Sequence, residues 1–378
     1  MHCAYHINDG ILILKRISTA FLFAALSSCY GGTDKSVPEE SLKGNSVTLD
    51  SAYYGMRPTL LSDDLLFTWS QSQIETGCVG KISGDSLTNY QGSFRRGHGR
   101  NEFMDVILGK GKDSCIYIAS VSAKHNQILS MTHTGKAKSI EAVKDTEAWT
   151  IYDLSKLPNW TFGFMNYVVL SDSTCLFLGT PFGDLGHIMS IIDFKNQTLK
   201  PLDFWPEDGS KVEGLAKVGV YIDTGNILGN NEDRFLYVCG EGNYAFIFTI
   251  DGSSVHVKKE LYSQFPEYDY MGEDKVGRMN YSIKNRPALH FETDANGNHI
   301  YLLKIEDDKD GKAAESWKTS VCGNEIEVYD WEGNLEKKIV LDQLGHNIKV
   351  TEDDRLLYLF SEDWETGEPQ IWAYDLRN

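Results

Sequence analysis

Short runs in which apolar and polar residues alternate, rich in Val, Ile, Tyr, Phe and Trp, recur along most of the chain between clusters of Gly, Asn and Asp. Almost no stretch places apolar residues at helical spacing. An alternation of period two suits strands with one face against a core, so the pattern predicts an all-β chain. About 330 residues carry it, which is long for one sandwich and raises the question of repetition.

One element does repeat: a polar doublet that turns the chain, then an aliphatic and aromatic strand. It reads Asp64-Leu65-Leu66-Phe67, Ser114-Cys115-Ile116-Tyr117, Thr174-Cys175-Leu176-Phe177, Arg234-Phe235-Leu236-Tyr237, His299-Ile300-Tyr301 and Arg355-Leu356-Leu357-Tyr358. The aromatic positions are spaced by 50, 60, 60, 64 and 57 residues, giving six units. A second element keeps the same period as a strand, a tight turn and a return strand. Its turns fall at Ser83-Gly84, Thr134-Gly135, Lys195-Asn196, Asp251-Gly252 and Glu332-Gly333. The sixth unit has the approach strand Ile371-Trp372-Ala373-Tyr374 but no return strand before Asn378. A ring of four-stranded sheets closes without a weak seam when the other end of the chain supplies such a strand. Ser46-Val47-Thr48-Leu49 has the length and place to do so. The expected fold is therefore a six-bladed β-propeller over residues 46–378, closed by an N-terminal strand completing the last blade; two tandem sandwiches are the rival architecture. Between Gly252 and Gly333 the unit is longer than the rest, with added sequence at 264–286 and 307–318. Loops of this kind are where rigid scaffolds build sites.

The start of the chain reads differently. Lys15 and Arg16 precede an apolar run, residues 17–26, too short to cross a bilayer, and the run ends in Leu26-Ser27-Ser28-Cys29. That is a signal peptide over 1–28 with a lipobox, so Cys29 is expected to be lipidated and to hold the protein at a membrane. Residues 29–45 hold almost no large apolar side chain and read as a flexible tether, about 20 Å in reach. The formal charge is −18, an acidic balance that argues against nucleic acid as a partner and against direct adhesion to anionic lipid. Cys78, Cys115, Cys175, Cys239 and Cys322 are widely spaced, without a CxxC pair, and several lie inside strand patterns. They are expected to be free, mostly buried thiols.

The segment Arg95-Arg96-Gly97-His98-Gly99-Arg100-Asn101-Glu102-Phe103 resembles the glycine-rich turn ending in Glu-Phe of TolB-like and NHL-like six-bladed propeller lipoproteins of gut Gram-negative anaerobes. That family often has Gly-Pro ahead of the Glu-Phe, where this chain has Arg100 and Asn101. The lipobox, the length and the six repeats extend the resemblance over nearly the whole mature chain. It implies a propeller in the cell envelope, lipid-anchored, at the outer membrane; it implies no activity.

Three features are candidates for chemistry. Arg95, Arg96, His98 and Arg100 put positive charge on an acidic protein and would suit a carboxylate or sulfate, unless Gly97 and Gly99 serve only the backbone. Gly163-Phe164-Met165-Asn166-Tyr167 is echoed by Gly277-Arg278-Met279-Asn280-Tyr281, 114 residues on. Asn166, Tyr167, Arg278, Asn280 and Tyr281 would recognise sugar or peptide if they project into equivalent loops, or else pack between blades. The acidic loop at 306–311 brings Ca²⁺ to mind as the one possible cofactor, but position twelve is Trp317 where a calcium loop needs Glu. No nucleophile elbow or zinc-protease helix is present, and no catalytic residue or metal site is singled out. The expected function is a binding or scaffolding module for a protein, peptide or glycan; the alternative is a carbohydrate-active enzyme, a lyase or glycoside hydrolase.

Overall fold

The repeated run becomes the second strand of each of six antiparallel sheets in the computed structural model of the protein. The structure describes residues 37–50, 57–70, 72–99, 101–122, 127–181, 183–212, 214–273, 279–285, 289–306, 322–363 and 365–377. The chain divides after Pro38, and every strand belongs to the unit that begins at Glu39.

Three short strands come first: β1 (Glu39–Leu42), β2 (Asn45–Ser46) and β3 (Thr48–Leu49). Blade 1 is β4 (Arg57–Ser62), β5 (Leu65–Trp69), β6 (Glu75–Ser83) and β7 (Ser86–Arg95). Blade 2 is β8 (Asp105–Lys110), β9 (Cys115–Ser122), β10 (Gln127–Lys136) and β11 (Thr150–Asp153), with helix α1 (Ile140–Lys144) before its last strand. Blade 3 is β12 (Trp160–Val169), β13 (Thr174–Pro181), β14 (Met189–Asp193) and β15 (Thr198–Pro201). Helix α2 (Gly214–Ile222) leads into blade 4, made of β16 (Asn226–Gly229), β17 (Phe235–Val238), β18 (Asn243–Asp251) and β19 (Ser254–Gln264). A separate hairpin, β20 (Glu267–Glu273) and β21 (Met279–Asn285), precedes blade 5: β22 (Leu289–Ala295), β23 (His299–Glu306), β24 (Gly323–Asp330) and β25 (Leu335–Gly345). Blade 6 is β26 (Asn347–Val350), β27 (Leu356–Glu362) and β28 (Pro369–Asp375).

The chain is thus a six-bladed β-propeller. Its innermost strands β4, β8, β12, β16, β22 and β26 each touch the next, and β26 returns to β4, so the ring is closed. The aromatic positions of the repeat are all buried: Phe67, Tyr117, Phe177, Tyr237, Tyr301 and Tyr358. They pack where one sheet faces the next, as when the Tyr117 ring of blade 2 meets Phe194 of blade 3 at 5.9 Å. A buried Tyr hydroxyl needs a partner. Tyr301 of blade 5 donates to Asp354 Oδ1 in the first turn of blade 6 at 2.8 Å, and Asp354 also accepts from Asn298 Nδ2 at 2.9 Å. The polar doublets before these strands turn the chain through left-handed backbone at Asp63, Ser114, Asn231 and Asp354, residue types that tolerate it with local hydrogen bonds.

The last blade is completed from the N-terminus. Asn45 pairs with Ala373 and Ser46 with Trp372, antiparallel on β28, and Val47 N donates to Ile371 O at 2.8 Å. The structure extends this closure beyond the single strand expected at 46–49. β1 lies parallel on the outer edge of β25 in blade 5, and β3 lies parallel on β7 in blade 1. Residues 39–49 therefore strap the outer edges of three successive blades. The folded unit begins at 39 rather than 46, and the expected tether through 45 is shortened accordingly. Its composition misled because the strap is exposed on its outer side; Leu42 and Val47 are buried in the core and Leu49 packs against it.

Two further expectations are corrected. Thr134-Gly135 is not a hairpin turn: β10 continues through it with an irregular register between His133 and Lys136, and residues 137–149 make the connection. That connection contains α1, capped by Ser139 Oγ on Ala142 N at 3.2 Å, with Ile140 and Val143 buried beside Phe103. α2 was also illegible as a helix. Gly214, Gly219, Val218, Val220 and Ile222 are weak helix formers, and burial of its apolar residues overrides that propensity. The five described cysteines form no disulfide; Cys115 is half-buried and the others are buried.

Candidate functional site

The inner strands β4, β8, β12, β16, β22 and β26 border the central channel. Aliphatic side chains that line the channel include Leu60, Leu108, Val168, Leu228 and Val350, beside a larger polar share of its surface. Charged groups are set among them in pairs. Lys110 Nζ of blade 2 meets Glu352 Oε1 of blade 6 at 2.5 Å, and Arg57 Nη2 of blade 1 meets Glu292 Oε1 of blade 5 at 3.3 Å. Each of these pairs joins blades that are not neighbours, so each reaches across the channel. Lys349 Nζ lies 3.5 Å from Asp294 Oδ1, whose Oδ2 accepts from Val350 N at 2.7 Å. Glu292 Oε2 accepts from Asn347 Nδ2 at 2.9 Å.

Burial pushes the Glu292 and Asp294 carboxyls above their ordinary values, against the lowering effect of Arg57 on the first and of Lys349 on both. Charge is balanced within the channel, which leaves a cavity of about 90 Å³. That volume takes about three waters. An extended ligand entering the channel would have to separate the crossing ion pairs.

His346 is the one residue between β25 and β26, close to Arg57 and Glu362. Burial holds its imidazole below the ordinary value; Glu362 opposes that and Arg57 adds to it. A depressed base favours folding while neutral, so its contribution is present above about pH 6.5 and is lost as the pH falls through the lowered value. Glu292 and Asp294, being raised, contribute in the opposite sense at lower pH, and half-buried His133 in the same sense as His346. The specific expectation is a difference: His346→Gln should flatten the fall of Tm between pH 6.5 and 5 relative to wild type. Parallel Tm profiles would assign that fall to other groups.

The structure separates the residues that the sequence grouped. The turn at 95–103 uses most of its charged groups locally, although Asn101 Oδ1 is buried without a hydrogen-bond partner among the described residues. Arg96 donates from Nη1 to Met104 O at 2.8 Å and from Nε to Ser72 O at 3.3 Å, and Arg95 Nε lies 3.3 Å from Glu102 Oε1. Glu102 Oε2 also accepts from Gly99 N at 2.9 Å, and Phe103 is buried against Phe94. His98 is exposed, and Arg100 lies outside the described residues. The glycines are explained by closeness to Glu102: a Cβ at Gly97 would stand 2.0 Å from its Oε2. Gly97→Ala should cost about 1–3 kcal/mol, by the same overpacking that penalises added methyls elsewhere. Thermal melting reads this, and Glu102→Ala in the same chain should recover most of it.

The repeated Gly-x-Met-Asn-Tyr segments do not occupy equivalent positions. The first lies within β12, where Tyr167 is buried, stacks on Phe177 at 4.6 Å and touches the channel with its edge. The second lies at the start of β21, with Tyr281 half-buried opposite Tyr270 in the hairpin. The side chains of Asn166 and Asn280 lie outside the described residues, as do Arg278 and residues 307–311 of the acidic loop. Among the described residues no group of His, Cys, Asp and Glu is arranged to hold a metal ion.

What the sequence reading missed is the segment between blades 3 and 4. Asp208 accepts from Ser210 N at 3.0 Å, Tyr268 OH at 2.7 Å and Tyr221 OH at 3.1 Å, and pairs with Lys217 Nζ at 3.0 Å. Lys217 also donates to Pro206 O and stands 4.8 Å over the Trp205 ring. Burial alone would raise the Asp208 carboxyl; these donors and Lys217 outweigh it and hold it low. The cluster pins α2 and the β20–β21 hairpin together. In an antiparallel blade the connections between blades, and those between second and third strands, emerge on one side of the ring. α2 and the hairpin are such connections, and the exposed apolar residues Ile74, Leu185, Tyr270 and Met271 sit on connections or a strand of the same kind.

No protein-family model and no curated protein matches the sequence. Among solved structures the chain is similar to a member of the DUF4221 family from Bacteroides vulgatus, at 11% identity over 88% of this chain and 95% of that one, with a TM-score of 0.57. More remote likenesses are the Cps50 (Swd1) β-propeller domain of Myceliophthora thermophila, at 10% identity over 87% and 98% with a TM-score of 0.41, and YCF48 bound to D1 peptide, at 8% identity over 91% and 100% with a TM-score of 0.42. At these identities the likeness is one of fold.

Proposed function

We propose that this propeller is a binding or scaffolding module of the cell envelope, of the TolB-like and NHL-like lipoprotein kind, held at the outer membrane by lipid on Cys29. It engages a protein, peptide or glycan through the side of the ring that bears α2 and the β20–β21 hairpin. One observation carries the reading: α2, the β20–β21 hairpin and four of the seven exposed large apolar side chains among the described residues lie on that side, while ion pairs cross the channel. A rigid ring that presents loops suits capture without chemistry.

A glycan and peptide array probed with the full chain tests the ligand side, with Tyr270→Ser/Met271→Ser as the variant expected to lose the signal. Equal signal from the variant would remove the face from the proposal. Cys29→Ala should move the protein from the membrane to the soluble fraction, and retention at the membrane would remove the anchor. A second reading, a carbohydrate-active enzyme, draws on Glu292, whose raised carboxyl suits a general acid. New reducing or unsaturated ends on an array polysaccharide would favour it, with Glu292→Gln abolishing them.

A further inference from the structure

The outer edges of the blades are treated unequally. Blade 6 receives β2, blade 1 receives β3, and blade 5 receives β1. The outer strands of blades 2 and 3, β11 and β15, have only four residues each. β19 of blade 4 has eleven, as many as β25, and among the described residues only its first position is paired from outside. There Asp203 forms a parallel bridge to Ser254, its N–H donating to Ser253 O at 2.7 Å; further along, only side-chain faces of β19 are met, as by Gly333 of blade 5 beside Lys259 and Leu261, and the backbone edge is not. The Asp203 bridge is how β3 begins on blade 1, where Thr48 N donates to Asp85 O at 2.7 Å. On blade 1 the added strand continues. On blade 4 the chain turns inward at Phe204, whose ring packs on Phe246 at 5.0 Å. Residues 256–260 of β19 are left exposed.

The two eleven-residue strands also share their charge. β25 carries Lys337-Lys338, and the strand added to it brings Glu39-Glu40: Glu39 sits opposite Lys338, and Glu40 Oε2 lies 3.6 Å from Lys337 Nζ. β19 carries Lys258-Lys259, beside His256, on a protein of formal charge −18. Lysines on an edge strand often serve to discourage pairing, as do bulges. β25 has the lysine pair and two register shifts on its inner side, and it is paired all the same. What makes the difference there is a strand with complementary carboxylates.

We propose that the outer edge of β19 accepts an extended acidic peptide segment of another protein as a fifth, parallel strand of blade 4. Main-chain hydrogen bonds would supply affinity, and carboxylates opposite Lys258 and Lys259 would set register. The site is on the rim of blade 4 and does not depend on ligand capture at the α2 and hairpin side.

A fluorescent peptide copying residues 37–43, which contains Glu39-Glu40, is the probe, read by anisotropy with the full chain. Saturable binding is expected, at least tenfold weaker for the Lys258→Glu/Lys259→Glu variant and absent for a peptide with both Glu changed to Lys. Both lysines are exposed, so the variant should melt as wild type does, and a circular dichroism melt confirms it. Hydrogen exchange with peptide present should protect amides within 255–263. No saturable binding, equal affinity for the variant, or protection confined to 335–345 would overturn the proposal. So would a peptide-sensitive dimer seen by light scattering, in which residues 39–42 of a second copy supply the strand.

Discussion

Asp208→Ala should lower stability by about 4 kcal/mol, within the range for stranding one member of a buried ion pair. For a domain of this size that is a drop in Tm of about 5 °C. The Asp208 side chain is 1% exposed and Lys217 9%, so removal of the carboxylate leaves an ammonium group with only Pro206 O and the Trp205 ring for company. Tyr221 and Tyr268 lose their acceptor at the same time. The loss should be local first: α2 and the β20–β21 hairpin should gain hydrogen exchange before the blades do. Lys217→Met in the same chain should restore most of the stability, since an apolar replacement for a buried pair is close to neutral. A melt of Asp208→Ala within a degree of wild type, or no recovery in the double variant, would show that the cluster does not hold the segment.

Val47→Asp should release the strap, at a cost of about 3 kcal/mol, the order expected for placing a polar group without partners in an apolar site. Val47 is buried against blade 6 and blade 1, in a cluster with Leu61, Leu87, Phe360 and Ile371. Its neighbours in the chain hold less. Gly44 N donates to Asp342 Oδ1 at 3.0 Å, Asn89 N to Asp50 Oδ2 at 2.9 Å, and β2 has two residues. Once Val47 is out, blade 6 is left with three strands and blades 1 and 5 with open edges, so aggregation on warming should rise. Limited proteolysis should cut between 43 and 50 in the variant and not in wild type. Thr48→Ala, at an exposed position of the same strap, should change Tm little. If the two variants melt alike, the strap is ornament and the ring closes without it.

How much of this was legible depended on the range of the interaction. The six second strands could be read because Phe67, Tyr117, Phe177, Tyr237, Tyr301 and Tyr358 each sit in a local alternation that the core enforces. The strand added to blade 6 could be inferred because the sixth repeat supplies three strands where the others supply four. The candidate residues fared differently. Arg95 and Glu102 pair within their turn, and the bonds from Arg96 to Met104 and Ser72 carry no sequence signal. Tyr167 and Tyr281 share a motif but not a place, since one lies on an inner strand and the other on a hairpin outside the blades.

The sequence by itself determined the blades, their number and the need for a strand from the far end, because strand burial writes a period of two into neighbouring residues and turns demand Gly, Asn or Asp. Only the tertiary structure decided that residues 39–49 cross three edges, that α2 is a helix, and that ion pairs cross the channel. Arg57 and Glu292 are 235 residues apart, and Gly44 and Asp342 are 298 apart. Pairings over such separations are chosen by the geometry of the closed ring, and no local pattern records them.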